Sequence, residues 1–243
     1  MASRGAIPGI LTRMPEFVTF PSEGSTATGY LAKPRERSGP GLVVIQEWWG
    51  LDPGIKEMCE RLASGGFVAL APDLYRGEIA HHDEMDRAAE LMKKLPPERA
   101  GRDMSAAIEY LLKHPAVTSD YVGVVGFCMG GMLSFIIATN RPDKVKAVVA
   151  FYGFPQGANE PDWSKLNAKV RGHMAEHDSF FPPDKAKELE ARLRAMGKDV
   201  EFTVHKGTGH AFMGPHNALG TLDVDKAEEI WPGVIDFLKA NVQ

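Results

Sequence analysis

Val122-Gly123-Val124-Val125-Gly126-Phe127-Cys128-Met129-Gly130-Gly131 decides how the rest of this chain is read. An apolar, β-branched run enters it with the composition of a buried strand. Beyond it, Met132, Leu133, Phe135, Ile136 and Ile137 continue as a helix that is apolar nearly all round. Between the two, glycines crowd around one thiol. Strand, sharp turn and helix with a nucleophile at the apex make a Gly-x-nucleophile-x-Gly elbow, here with cysteine where serine is commoner. Gly126 and Gly130 are expected because side chains there would collide across so tight a turn. The turn sets the thiol beside the first N–H groups of the helix, whose unpaired donors and dipole favour a thiolate and later an oxyanion. A plainer reading stands beside this one: free cysteine is among the most buried residue types, and Gly-Gly after a strand is ordinary packing. These ten residues leave the choice open.

Moving outward, strands and amphipathic helices alternate on both sides. Before the elbow come a strand over 42–45, a helix over 54–64, a strand over 67–70 and helices over 83–94 and 97–113. After strand 122–127 and helix 129–139 come strands over 145–151 and 169–174, a helix over 184–196, a strand over 201–205 and a helix over 223–240. The helices rest on spacings such as Met104, Ala107, Ile108, Leu111 and Ala186, Leu189, Leu193, Met196. Pro232 should kink or delimit the last of them. Segments 16–21 and 28–32, joined by Ser22-Glu23-Gly24-Ser25, read as an antiparallel hairpin, and 34–40 as a polar loop. Residues 1–14 read as a lead-in, and 15–243 as one domain without internal repeat or linker. The fold class is α/β, a mostly parallel, doubly wound sheet with a leading hairpin.

Composition narrows the function. The 243 residues are 44% hydrophobic, enough for a full core, and carry 28 basic against 32 acidic side chains for a net charge of −4. No basic cluster appears, which argues against nucleic acid. The apolar run around 145–154 is broken by Lys146 and falls short of a membrane span. Met1-Ala2-Ser3-Arg4-Gly5 lacks the features of a secretory signal, and two cysteines make no disulfide framework. Cys59 falls on the apolar face Ile55, Met58, Cys59, Leu62 and is expected in the core. The expectation is a soluble cytoplasmic protein with reduced thiols, a monomer or small homo-oligomer.

In a doubly wound sheet, ligands sit beyond the carboxyl ends of the strands, so reactive residues should follow strands. Cys128 follows strand 122–127, Asp178 follows 169–174 within Met174-Ala175-Glu176-His177-Asp178, and His210 follows 201–205 within Gly207-Thr208-Gly209-His210-Ala211-Phe212. Nucleophile, acid, histidine is the chain order of α/β-hydrolase triads. The histidine would take the thiol proton and return it to the leaving group, while the aspartate fixes its tautomer. Asp178 has a second reading, as the start of the Pro182-Pro183-Asp184 helix entry. The three together are more specific than any one.

Gly126-Phe127-Cys128-Met129-Gly130-Gly131, Gln46-Glu47-Trp48-Trp49-Gly50, Ala71-Pro72-Asp73-Leu74-Tyr75 and Gly209-His210-Ala211-Phe212 together resemble the dienelactone hydrolase (carboxymethylenebutenolidase) family over nearly the whole chain. The resemblance implies the α/β-hydrolase fold and hydrolysis of a small ester or enol-lactone by a Cys-His-Asp triad without a cofactor. Cys128 then matches the nucleophile, Asp178 the acid and His210 the base. Glu47 matches a carboxylate that helps deprotonate the cysteine when substrate arrives; the other reading is that it pairs with an arginine and organises its loop. The N–H groups of Met129 and Trp48 are the expected oxyanion hole. The family holds its substrate carboxylate with two arginines. Here Arg76 sits one residue early for the first, and Gly214 replaces the second. Losing that clamp, together with the aromatic Trp48, Trp49, Phe180, Phe181 and Phe212, implies bulkier and less acidic substrates. Tyr152 either lines the pocket or caps the sheet. His81-His82-Asp83 reads as a helix cap, and His173 and His177 lack a third ligand at metal spacing. A binding or sensing module on the same scaffold, and acyl transfer to an acceptor other than water, are the competing functions.

Overall fold

The computed structural model describes residues 16–242, so the lead-in expected over 1–14 lies outside the described residues. The elements in order are β1 (Glu16–Ser22), β2 (Ser25–Ala32), β3 (Gly39–Ile45), α1 (Pro53–Ser64), β4 (Val68–Pro72), α2 (Met85–Lys94), α3 (Pro97–Lys113) and β5 (Val117–Phe127). They continue with α4 (Met129–Asn140), β6 (Val145–Phe151), two short 3-10 turns at Gly157–Asn159 and Trp163–Lys165, β7 (Lys169–His177), α5 (Pro183–Ala195), β8 (Val200–Gly209) and α6 (Val224–Asn241). The strands form one eight-stranded sheet in the order β1-β2-β4-β3-β5-β6-β7-β8. The β1/β2 and β2/β4 pairs are antiparallel; every pair from β4 across to β8 is parallel. This is the α/β-hydrolase arrangement expected.

The sheet is covered on both faces, which is why its central strands are apolar runs without alternation. One core packs Met104, Ile108 and Leu111 of α3, Phe135 of α4 and Leu189 and Leu193 of α5 against Val43, Val124 and Val148. The other packs Ile55, Met58, Cys59 and Leu62 of α1 and Ile230, Trp231, Val234 and Leu238 of α6 against Val44, Val125 and Val149. Successive residues of β3, β5 and β6 thus point to opposite layers.

Four expectations need correction. The hairpin turn is only Glu23-Gly24, because Gly24 takes φ +73° and lets β2 start at Ser25 instead of 28. The loop expected over 34–40 ends early: β3 starts at Gly39, whose N–H donates to the Ala116 carbonyl, and β5 starts at Val117. Strands β7 and β8 outrun their apolar cores because they pair as far as His177 and Gly209. Pro232 does not delimit α6. It lies on the exposed face, where water can solvate the carbonyl that loses its N–H partner, while the buried stripe from Ala227 to Leu238 continues past it.

Candidate active site

The carboxyl ends of β3, β5, β7 and β8 deliver Glu47, Cys128, Asp178 and His210 to one rim of the sheet. Cys128 occupies the N-cap of α4 with φ 52° and ψ −116°, a conformation L-residues rarely adopt. Glycine neighbours make it possible. A Cβ on Gly126 would collide with the Gly130 carbonyl, and one on Gly130 with that of Ile45. A third glycine escaped the sequence reading: a Cβ on Gly153 would collide with the Cys128 carbonyl from the loop after β6. Gly153 follows a strand that carries no reactive residue, so only the parallel pairing of β5 with β6 discloses it.

His210 Nε2 lies 3.2 Å from Cys128 Sγ, and His210 Nδ1 lies 2.7 Å from Asp178 Oδ2. Asp178 Oδ1 accepts the N–H groups of Phe180 and Phe181, each at 2.9 Å, so the carboxylate is fixed from both oxygens. The helix of α5 begins five residues later, and Asp178 takes no part in its start. With Asp178 accepting from Nδ1, the imidazole is the Nδ1–H tautomer and its Nε2 lone pair faces the thiol. Phe180, Phe181 and Tyr152 pack around the ring, with centroids 4.9, 5.8 and 5.2 Å away. Burial pushes the Cys128 thiol well above its ordinary value, reinforced by the charges of Glu47 and Asp178 and opposed by the Met129 N–H. The resting group is therefore a protonated thiol with a proton acceptor in contact.

A cavity of about 400 Å³ opens over the sulfur. Trp48, Trp49, Met132, Phe154, Phe180 and Phe181 supply most of its wall, with Glu47, Gln156, Asn159, His210 and His216 as its polar points. Among the described residues, no lysine or arginine lines it. Met129 lines it from the first turn of α4, and Trp48 from the turn after β3.

Three residues expected at the substrate stand elsewhere. Arg76 reaches away to the β1/β2 hairpin, toward Ser25 Oγ at 3.2 Å, Thr26 O at 3.5 Å and Asp103 at 3.8 Å. Its loop is held by Asp73, which accepts from the N–H groups of Tyr75 and Gly77. Tyr152 and Phe212 are completely buried behind the His210 imidazole and outside the cavity wall, their rings 5.5 Å apart. Gln46, part of the recognised motif, holds the same loop by accepting from the Leu74 N–H.

His81-His82-Asp83 does not cap α2, whose N-cap position is Glu84; the Glu84 side chain caps no N–H of the first turn and accepts instead from the His81 N–H at 2.8 Å. His82 Nε2 instead meets Asp52 Oδ2 at 2.7 Å, while Asp52 Oδ1 caps α1 through the Ile55 N–H. Glu47, 4% exposed, is paired, but with a histidine and not an arginine: its Oε2 lies 2.6 Å from His216 Nε2. His216 was missed by the sequence reading. The only signal was a histidine two positions beyond the glycine that replaces the expected arginine. Of the other histidines, His173 pairs with His205 at 3.0 Å and His177 is exposed beside Glu176. Among the described residues, no group of three or more His, Cys, Asp or Glu is arranged to hold a metal ion, and no helix is long and apolar enough to cross a membrane.

The chain matches the model of the dienelactone hydrolase family over residues 27–242. It is 35% identical over 232 residues to protein usf of Aquifex pyrophilus, covering 93% of this chain and 98% of that protein. It is 33% identical, again over 232 residues and with the same coverage, to an Aquifex aeolicus protein provisionally named a carboxymethylenebutenolidase. A solved structure from Klebsiella pneumoniae, provisionally named a dienelactone hydrolase, is similar with a TM-score of 0.82 at 28% identity, covering 93% of this chain and 98% of that one.

Proposed function

This chain belongs to the dienelactone hydrolase family, and from that premise we propose that it hydrolyses carboxylic esters or enol-lactones through a thioacyl-enzyme on Cys128. The observation that carries this reading is the contact series from Cys128 Sγ through His210 to Asp178. As the sulfur attacks the substrate carbonyl carbon, its proton passes to His210 Nε2, and the carbonyl becomes a tetrahedral oxyanion. The Met129 and Trp48 N–H groups are the proposed donors to that oxygen. Collapse of the intermediate breaks the carbon–oxygen bond, and the imidazolium gives its proton to the departing alkoxide or enolate. Water then repeats the cycle on the thioester, with His210 as base, releasing the acid and restoring the thiol. Asp178 keeps the proton of His210 on Nδ1 and stabilises the imidazolium.

The raised thiol fits this route. A cysteine left ionised between turnovers is open to oxidation, whereas one deprotonated as the carbonyl arrives is not. The burial of Glu47 at the same cavity supports a part for it in that deprotonation.

The test is a stopped-flow burst with an aryl acetate. The native protein is expected to release one equivalent of phenolate rapidly before steady turnover, and Cys128→Ala to lose the burst and at least ~10³-fold in kcat. A Cys128→Ala protein that keeps near-native turnover would end the proposal.

A further inference from the structure

Glu47 is a buried carboxylate with one oxygen satisfied and one not. Oε2 takes its hydrogen bond from His216, while Oε1 is buried and has no hydrogen-bond partner among the described residues. Burying a carboxylate is costly unless it is paired, so the geometry that keeps Oε1 unpaired must be held by its surroundings. The imidazole supplies the hold. The Ala218 N–H donates to His216 Nδ1 at 3.0 Å, which makes that nitrogen an acceptor and places the ring proton on Nε2, facing Glu47. The His216 ring packs against His82 with centroids 4.4 Å apart, and Asp52 fixes His82 in turn.

Room for this ring comes from Gly214. A Cβ at that position would stand 2.7 Å from His216 Nε2, inside any tolerable contact. The glycine that removes a cation from the expected clamp is thus also what admits the imidazole. The Cys128 thiol and the Tyr152 phenol both sit within the field of the Glu47 charge, and the phenol also interacts directly with that carboxylate; both effects add to burial in keeping the protons on. A buried carboxylate oxygen at the same cavity as a protonated thiol is a proton acceptor in waiting.

We propose that His216 is the positioning residue for Glu47: its Nε2–H holds Oε2 and so presents Oε1 to the Cys128 thiol, and Gly214 is required to make space for it. This rests on the thioacyl route proposed above. His216 also lines the cavity, so KM is read separately; the part of its effect that passes through Glu47 falls on acylation.

The experiment is a double-mutant cycle read by the acylation rate of an aryl acetate, with KM and Tm measured for every protein. His216→Ala is expected to slow acylation about 10–100-fold, the usual effect of losing a residue that orients an active group. His216→Gln, whose amide can donate to Glu47, is expected to recover most of that rate. In a Glu47→Gln background, His216→Ala should add little, because the proton acceptor it positions is already gone. Gly214→Ala alters neither side chain yet should reproduce His216→Ala by displacing the ring. Additive effects of His216→Ala and Glu47→Gln, or a Gln variant as slow as the Ala variant with native Tm, overturn the proposal. If those occur while Cys128→Ala still abolishes the burst, the triad stands and only the role of His216 falls. If Cys128→Ala keeps native turnover, both fall together.

Discussion

Cys59 and Cys128 carry the same side chain into opposite environments. Cys59 is fully buried on the inward face of α1, and burial drives its thiol far above the ordinary range. Cys128 lines the cavity with an imidazole nitrogen 3.2 Å from its sulfur. An alkylating reagent such as iodoacetamide is therefore expected to modify one thiol per folded chain, at Cys128, with a second reacting only after unfolding. Because burial, with Glu47 and Asp178 behind it, holds that thiol protonated, the labelling rate should keep climbing with pH beyond the range where ordinary thiols level off. Peptide mass spectrometry checks both points. Labelling at Cys59 in the native state, or a rate that is flat near neutrality, would contradict the assignment. At this scale the strained φ of Cys128 needs three glycines, and the sequence advertised only two of them.

Adjacent strands β7 and β8 bring His173 and His205 together, with Nδ1 of the first 3.0 Å from Nε2 of the second. One ring must donate and the other accept, so the pair cannot hold a proton on every nitrogen. Burial, and then the neighbouring imidazole, push His173 down to about 3; burial also lowers His205. Both groups bind protons more readily when unfolded, where histidine titrates near 6.5. Their contribution is fully present above that value and is lost as pH falls from about 6.5 toward 3. The loss can reach about 1.4 kcal/mol per pH unit for each proton taken up. Urea unfolding between pH 4 and 7.5 should show this slope in the native protein and a shallower one in the His173→Phe/His205→Phe double variant, whose rings suit the neighbouring Phe151 and Phe212. Parallel slopes for the two proteins would remove the pair as the cause. The helices, by contrast, were legible from spacing alone, since an inward stripe such as Met104, Ala107, Ile108 and Leu111 repeats at the helical period.

For the molecule as a whole, the decisive feature is a cavity that holds Cys128 among aromatic and methionine side chains with, among the described residues, no lysine or arginine in its wall. A substrate carboxylate buried there would meet Glu47 and, among the described residues, no lysine or arginine to compensate it. Placing an unpaired charge in such a wall costs several kcal/mol, and each 1.4 kcal/mol is about tenfold in rate or affinity. Neutral aryl esters and lactones are therefore expected to be turned over with a kcat/KM at least about tenfold above that of matched substrates carrying a free carboxylate. A paired panel of such compounds measures the ratio directly, and faster turnover of the acidic members would contradict it. The loss of the expected clamp at Gly214 was visible in the sequence; that Arg76 is also diverted, to the hairpin, was not.

By itself the sequence determined the alternation of strands and helices, the elbow that raises Cys128, and the order in which acid and histidine follow it. These are written locally, in periodicity and in glycines that only a tight turn needs. Tertiary structure alone decided the partnerships among loops: Glu47 with His216, His82 with Asp52, Gly153 under the elbow. Loops at strand ends carry no repeating pattern, and which of their side chains meet depends on strand order and on the few ångströms left between packed backbones. A chain can thus declare its reactive groups in advance while leaving their supports to be settled by packing.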